Sequence, residues 1–158
     1  MKLQLGDGLD SGKKVFYLNE ELKCLSGDLS LSDVADKICF SVYPKTIRVN
    51  NELINKDTIS TAPIKKVRKT LIEQLLTHED MGSYLSGTSA EATIYRALFV
   101  GTGIITGEMD GNAQIVLDEI NSFIDKTAKE KKNLSKLINT LTQALIGIRK
   151  GIIPIYLV

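Results

Sequence analysis

The sequence predicts a mainly α-helical fold: a single helical domain of about five to six helices with a small β element near the N-terminus. Three observations predict it. Apolar residues recur at i, i+3, i+4 and i+7 from Leu31 onward, the spacing of one helix face. Cap-forming residues stand just ahead of those stretches. The β-rich run Val15-Phe16-Tyr17-Leu18 falls before residue 30, in a stretch punctuated by Gly6, Gly8, Gly12 and Gly27. The 158 residues suit one domain, 1–158, in which 1–30 are a β and loop lead-in and 31–158 are helical. A domain of this size buries roughly two-thirds of the surface of its unfolded chain, so a true core is available.

The run 15–18 reads as a short strand or hairpin. Leu31, Val34, Ala35, Ile38, Cys39 and Val42 then line one face of a first helix. Ser30 stands three residues before Asp33, an acidic variant of the capping box; Leu29 can staple onto Val34, and Pro44 stops the helix. A second helix is expected from about Ser60 to His78, with Ile64, Val67, Leu71, Ile72, Leu75 and Leu76 as its stripe. Pro63 is tolerable there because the opening turn has no use for its missing N–H.

A third helix begins at Thr88, whose spacing to Glu91 matches the Thr-x-x-Glu capping box. It carries Ile94, Tyr95, Leu98 and Phe99 inward and ends at Gly101 and Gly103. Residues 107–112 form a loop, and Asn112 caps a fourth helix with Val116, Leu117, Ile120, Phe123 and Ile124 on its apolar face. Asp118 and Glu119 toward its start, and Lys126 and Lys129 toward its end, follow the helix dipole. Asn133 caps a fifth helix bearing Leu134, Leu137, Ile138, Leu141 and Leu145, with Gly147 as its stop. The uncharged run Ile152 to Val158 reads either as the opening turns of a further helix, with Pro154 near its start, continuing into a longer parent protein, or as a short C-terminal segment that docks in the core.

The net charge of +1 excludes a globally basic nucleic-acid binder, so any charged partner must be met by a local patch. Cys24 and Cys39 are too few for a disulfide scaffold and lack metal-ligand spacing. The longest uncharged stretch, Leu137 to Ile148, falls short of the roughly 18 apolar residues of a membrane span, and no secretory signal opens the chain. The expectation is therefore a cytoplasmic protein with no membrane partner. His78 is the only imidazole and sits beside Glu79 and Asp80 at a helix end, where it suits the dipole better than nucleophilic catalysis. Glu108-Met109-Asp110 lacks the ligand count of a calcium loop. Gly101, Gly103 and Gly107 do not make a phosphate cradle, because Thr106-Gly107-Glu108 puts an acid where a P-loop needs its lysine. No catalytic residue, metal or cofactor is expected.

Three polar sets remain. Asn50, Asn51, Glu52 and Asn55 lie in Asn50-Asn51-Glu52-Leu53-Ile54-Asn55-Lys56, where a short helix would put Asn51 and Asn55 on one face with Glu52 alongside. They read either as caps and turn residues or as a ligand site. Lys65, Lys66, Arg68 and Lys69 crowd the first half of the second helix, against its dipole, at a cost of a few tenths to about 1 kcal/mol per exposed residue. They read as a solvated face or as contacts to an anion such as nucleic-acid phosphate or an acidic domain surface. Lys126, Lys129, Lys131, Lys132 and Lys136, with Glu130 among them, span a helix end and the loop after it, where cations are already favourable.

Four segments together carry a resemblance. They are Val42-Tyr43-Pro44-Lys45-Thr46 running into Asn50 to Lys56, then Ala62-Pro63-Ile64-Lys65-Lys66-Val67-Arg68, then Gly87 to Leu98 with Glu91 and Tyr95, then Gly147-Ile148-Arg149-Lys150-Gly151-Ile152-Ile153-Pro154-Ile155. In their order and spacing, from about Phe16 to Val158, the chain resembles an internal region of very large bacterial P-loop ATP-binding proteins, a mostly uncharacterised group that includes members of phage-defence systems. It departs from them at Ala144-Leu145-Ile146, where related segments carry prolines and an aromatic. The resemblance implies a helical connecting module that follows an ATPase domain, with the Walker motifs outside this chain and other domains of the parent ATPase as partners. It carries no nucleotide-binding residue onto this sequence.

The expected function is a non-catalytic interaction and coupling module excised from a larger ATP-dependent protein. The alternative is a stand-alone nucleic-acid-binding helical domain using Lys65, Lys66, Arg68 and Lys69. An enzymatic reading would require a concave pocket around His78 or Glu52.

Overall fold

A computed structural model gives the fold and describes residues 3–7, 14–18, 21–23, 30–77 and 81–158. The protein is mainly helical and divides into two compact units, residues 1–42 and 43–158. In the first unit β1 (Leu3–Asp7), β2 (Lys14–Leu18) and β3 (Glu21–Lys23) form an antiparallel sheet in the order β1-β2-β3. Leu5 pairs with Phe16, and Tyr17 with Leu22. The β-rich run read from the sequence is therefore the middle strand. Its neighbours are short and partly polar, which is why composition alone did not announce them.

The same unit holds α1 (Leu31–Val42), which ends two residues before Pro44. Its capping box closes in both directions. The Asp33 N–H donates to Ser30 Oγ at 3.2 Å, while the Ser30 N–H and hydroxyl donate to the Asp33 carboxylate at 2.9 and 2.7 Å. Those bonds, the hydroxyl's first, hold the Asp33 carboxyl below the usual carboxylate range. Along the expected apolar face Val34 is buried, Ile38 and Val42 are half-buried, and Ala35 and Cys39 are exposed. The Leu29 staple lies outside the described residues.

The second unit is built from α2 (Ala62–Thr77), α3 (Gly82–Ser86), α4 (Ala90–Tyr95), α5 (Gly111–Thr127), α6 (Leu134–Thr142) and the single turn α7 (Ile153–Tyr156). A π-helical turn, Arg96–Val100, continues α4. Leu71, Ile94, Leu98, Val116, Leu137 and Leu141 make the fully buried centre, one or two from each long element, as the helical spacing predicts. The irregular stretch 43–61 adds Ile47, Val49, Ile54 and Ile59 to the same core. Leu76, Ile124 and Leu134 were expected on buried stripes but are exposed. Each sits in the terminal turn of its helix, past the neighbours that cover the middle.

Two caps differ from expectation by one or two residues. Ser89, not Thr88, caps α4: its backbone is extended and its Oγ accepts the Ala92 N–H at 3.1 Å. Glu91 then falls in the first turn, where a carboxylate is favourable without a box. Asp110, not Asn112, caps α5 by accepting the Asn112 N–H at 3.3 Å. This leaves the Asn112 side-chain amide to donate to the carbonyls of Pro44 and Thr46 at 3.4 and 3.1 Å, tying 43–47 to the start of α5. Asn133 caps α6 as expected, accepting the Ser135 N–H at 2.8 Å.

The fifth helix is shorter than predicted. α6 ends at Thr142, Gln143 turns extended, and Leu145 and Gly147 take positive φ values of 84° and 63°. The reversal lets the Ile148 N–H return to the Leu141 carbonyl at 2.8 Å and puts Leu145 on the surface. Ile152, Ile153, Ile155 and Tyr156 then enter the core, where α7 packs on α2.

The π turn leaves a carbonyl for side chains. The Gly101 N–H reaches back five residues to Arg96 O at 2.8 Å, and the Leu98 carbonyl accepts the Thr102 hydroxyl at 2.5 Å and the Tyr156 hydroxyl at 3.1 Å. Burial pushes the Tyr156 phenol up. Tyr156 also ends an aromatic chain, Tyr84–Tyr95–Phe99–Tyr156, with ring centroids 5.8, 5.0 and 5.9 Å apart. The Arg96 guanidinium donates to the carbonyls of Tyr84 at 2.7 Å and Gly87 at 2.5 Å, closing the C-terminal end of α3.

Candidate functional site

The asparagine-rich segment is a turn, not a short helix, because only one helical hydrogen bond forms: the Asn55 N–H to Asn51 O at 3.0 Å. Asn51 accepts the Leu53 N–H on its side-chain oxygen at 3.0 Å, and the Asn55 amide donates to Val49 O at 3.4 Å. Ile54 is fully buried beneath, while Asn50 and Glu52 are exposed. Asn51 and Asn55 thus spend polar groups on the backbone that carries Ile54 inward.

This turn forms one half of a seam with residues 145–151. The Gly151 N–H donates to Lys56 O at 2.8 Å, the Lys45 N–H donates to Leu145 O at 2.8 Å, and Arg149 pairs with Asp57 at 3.1 Å. Both glycines of the seam are required by shape. A Cβ on Gly151 would stand 2.5 Å from Ile54 O and 2.7 Å from Lys56 O, and one on Gly147 would run into the Tyr43 ring. Two of the four segments that carry the sequence resemblance therefore meet each other directly.

On α2, Lys65, Lys66 and Lys69 are exposed and Arg68 is half-buried. Lys69 pairs with Glu73 one turn on, at 3.5 Å. No acid stands in the first turn. Because α2 starts at Ala62, Lys65 sits at the edge of that turn and Lys69 two turns in, so the dipole opposes Lys65 and Lys66 and hardly touches Lys69.

The second lysine set gains what the first loses. Lys126 and Lys129 lie at the C-terminal end of α5, but Lys131 and Lys132 immediately precede the Asn133 cap and Lys136 is the third residue of α6. The last three face the positive end of a helix. Glu130 pairs with Lys132, and this hydrogen bond and charge, with Lys136 also contributing, hold the Glu130 carboxyl below its usual range. A shallow crevice of about 370 Å³ runs along α5, lined by Asp118, Asn121, Ser122, Asp125, Lys126 and Lys129, acidic at one end and basic at the other. The signal for this surface was in the sequence: once Asn133 is a cap, Lys131, Lys132 and Lys136 oppose a dipole.

Gly101, Gly103 and Gly107 belong to a tight loop closed by Asp110 N–H to Thr102 O at 3.0 Å and Gly107 N–H to Gly103 O at 3.2 Å. Glu108 and Asp110 are exposed on it, Asp110 as the α5 cap. Cys39 is an exposed free thiol. Cys24 and His78 lie outside the described residues. Among the described residues no three His, Cys, Asp or Glu side chains group as metal ligands, and no helix is long and apolar enough to cross a membrane. No protein-family model, curated protein or solved structure matches this chain.

Proposed function

We propose that this chain is a non-catalytic interaction and coupling module of a larger cytoplasmic ATP-dependent protein, held to other domains of that protein through the exposed start of α2. The observation that carries the reading is the lysine face itself. Lys65 and Lys66 are exposed, stand against the helix dipole and, among the described residues, have no carboxylate within ion-pair distance. An acidic surface of a neighbouring domain would supply the missing counter-charge. The seam between 43–57 and 145–151 supports the reading as a folded module, since it gives two of the four spaced motifs of the resemblance a shared structural purpose.

The experiment begins with the reading frame around these residues, which should encode Gly-x-x-x-x-Gly-Lys-Ser/Thr. In the full-length protein, K65E/K66E should leave basal ATP hydrolysis within twofold while lowering its response to the protein's stimulating partner or ligand at least fivefold. A frame without that motif, or an unaltered response, overturns the proposal.

A further inference from the structure

We infer that the end of the α5–α6 hairpin, residues 126–136, is a surface for the phosphodiester backbone of nucleic acid. Five lysines and one glutamate occupy these eleven positions. Glu130 is taken by Lys132; among the described residues Lys126, Lys129, Lys131 and Lys136 have no ion-pair partner, and all four are exposed. Helix stabilisation accounts for Lys126 and Lys129 at the C-terminal end of α5. It does not account for Lys131 and Lys136, which the α6 dipole opposes from two residues before its cap and from its third residue. Glu130, the one acid among them, lies close enough to Lys132 and Lys136 to feel both, so the loop and the first turn of α6 share a single carboxylate.

The make-up of this end decides between polyanions. A protein interface has an apolar centre depleted in charge, whereas nucleic-acid interfaces are polar and strongly positive. Here five of the eleven positions are lysine; of the exposed large apolar side chains, Ile124 precedes the segment and Leu134 stands alone within it, between Lys132 and Lys136. Ser135 and Asn139, exposed on α6, add hydrogen-bonding groups of the kind that contact phosphate oxygens. The acids of α5, Asp118 and Asp125, lie along the crevice on the approach to Lys129, so the charge boundary confines a phosphate chain to the hairpin end. This surface is independent of the α2 face invoked for domain coupling.

The test is fluorescence anisotropy of the 158-residue chain with labelled 20-nucleotide single- and double-stranded oligonucleotides between 50 and 200 mM salt, in a range where each phosphate contact contributes about 0.7–0.9 to the log–log slope. K129E/K131E/K136E should weaken binding more than tenfold and lower the slope by about 2, with the helical circular dichroism unchanged. K65E/K66E/K69E, an equal change of charge, should weaken it less than twofold. Absence of binding at 50 mM salt, equal losses in the two variants, or equal affinity for labelled poly-L-glutamate each overturns the assignment.

Discussion

Residues 50–57 and the start of α2 are close in sequence and alike in polarity, yet the fold uses them in opposite ways. In the turn, the Asn51 oxygen and Asn55 amide are spent on backbone groups, Asp57 is paired with Arg149, and the carbonyls of Ile54 and Lys56 press against Gly151. On α2, Lys65 and Lys66 point to solvent, and the helix they stand on is weakened by their presence. Polar density therefore says little about a site until each group's partner is known. Groups that stabilise the fold are already occupied; groups that oppose it remain for something else.

The largest expected effect lies on the occupied side. Gly151→Ala places a methyl 2.5 Å from Ile54 O and 2.7 Å from Lys56 O, so the backbone itself must give way. The cost should be ~3 kcal/mol, the upper end for overpacking, read as a lower urea midpoint with an unchanged slope. A midpoint equal to that of the parent chain would show that the seam is loose and that the turn's polar groups are not committed to it.

Tyr156 tests the same side more gently. Tyr156→Phe removes one hydroxyl from the Leu98 carbonyl, which keeps the Thr102 hydroxyl, and should cost ~1 kcal/mol near neutral pH. Burial raises the phenol above its ordinary value of 10.0, so the folded state holds its proton after the unfolded chain has released it. Its contribution is complete below pH 10.0 and falls as the pH rises further, by about 1.4 kcal/mol per unit until the folded phenol ionises. Tyr156→Phe should therefore be less stable than the parent at pH 7 and lose less stability between pH 10 and 11. Parallel stability curves for the two proteins would place the phenol in contact with solvent.

The divide between occupied and opposed groups also marks how far the sequence could be read. Helix faces were legible because the 3.6-residue period survives in the core: Leu71, Leu98, Val116 and Leu137 are all buried as expected. The capping box at Ser30 and the cap at Asn133 were legible because both are local. Ser89 and Asp110 were misplaced by neighbours with equal capping ability, a choice settled by where the chain enters the helix. The π turn, the positive φ of Leu145 and the core residues Ile47 and Val49 in an irregular stretch were not legible, since contacts distant in sequence hold them. For the polar sets the sequence showed which residues were unusual. Only the hydrogen bonds of Asn51 and Asn55, and the start of α2 at Ala62, distinguished scaffold from free surface.

The smallest effect carries the opposite sign and is the sharper test for it. Lys65→Gln and Lys66→Gln remove charges that the dipole of α2 opposes and break no ion pair among the described residues. Each should stabilise the isolated chain, by ~0.3 kcal/mol for Lys65 at the edge of the first turn and by less for Lys66 beyond it, because the dipole's influence fades within a turn. The gain should shrink at high salt. Lys69→Gln gives the internal control. It lies two turns into the helix and breaks the exposed pair with Glu73, so it should lose at most a few tenths of a kcal/mol instead of gaining them. Thermal melts at two salt concentrations read all three. If Lys65→Gln destabilised the chain as Lys69→Gln does, Lys65 would be held by the fold like the groups of the turn, and the start of α2 would have no charge left over for a partner.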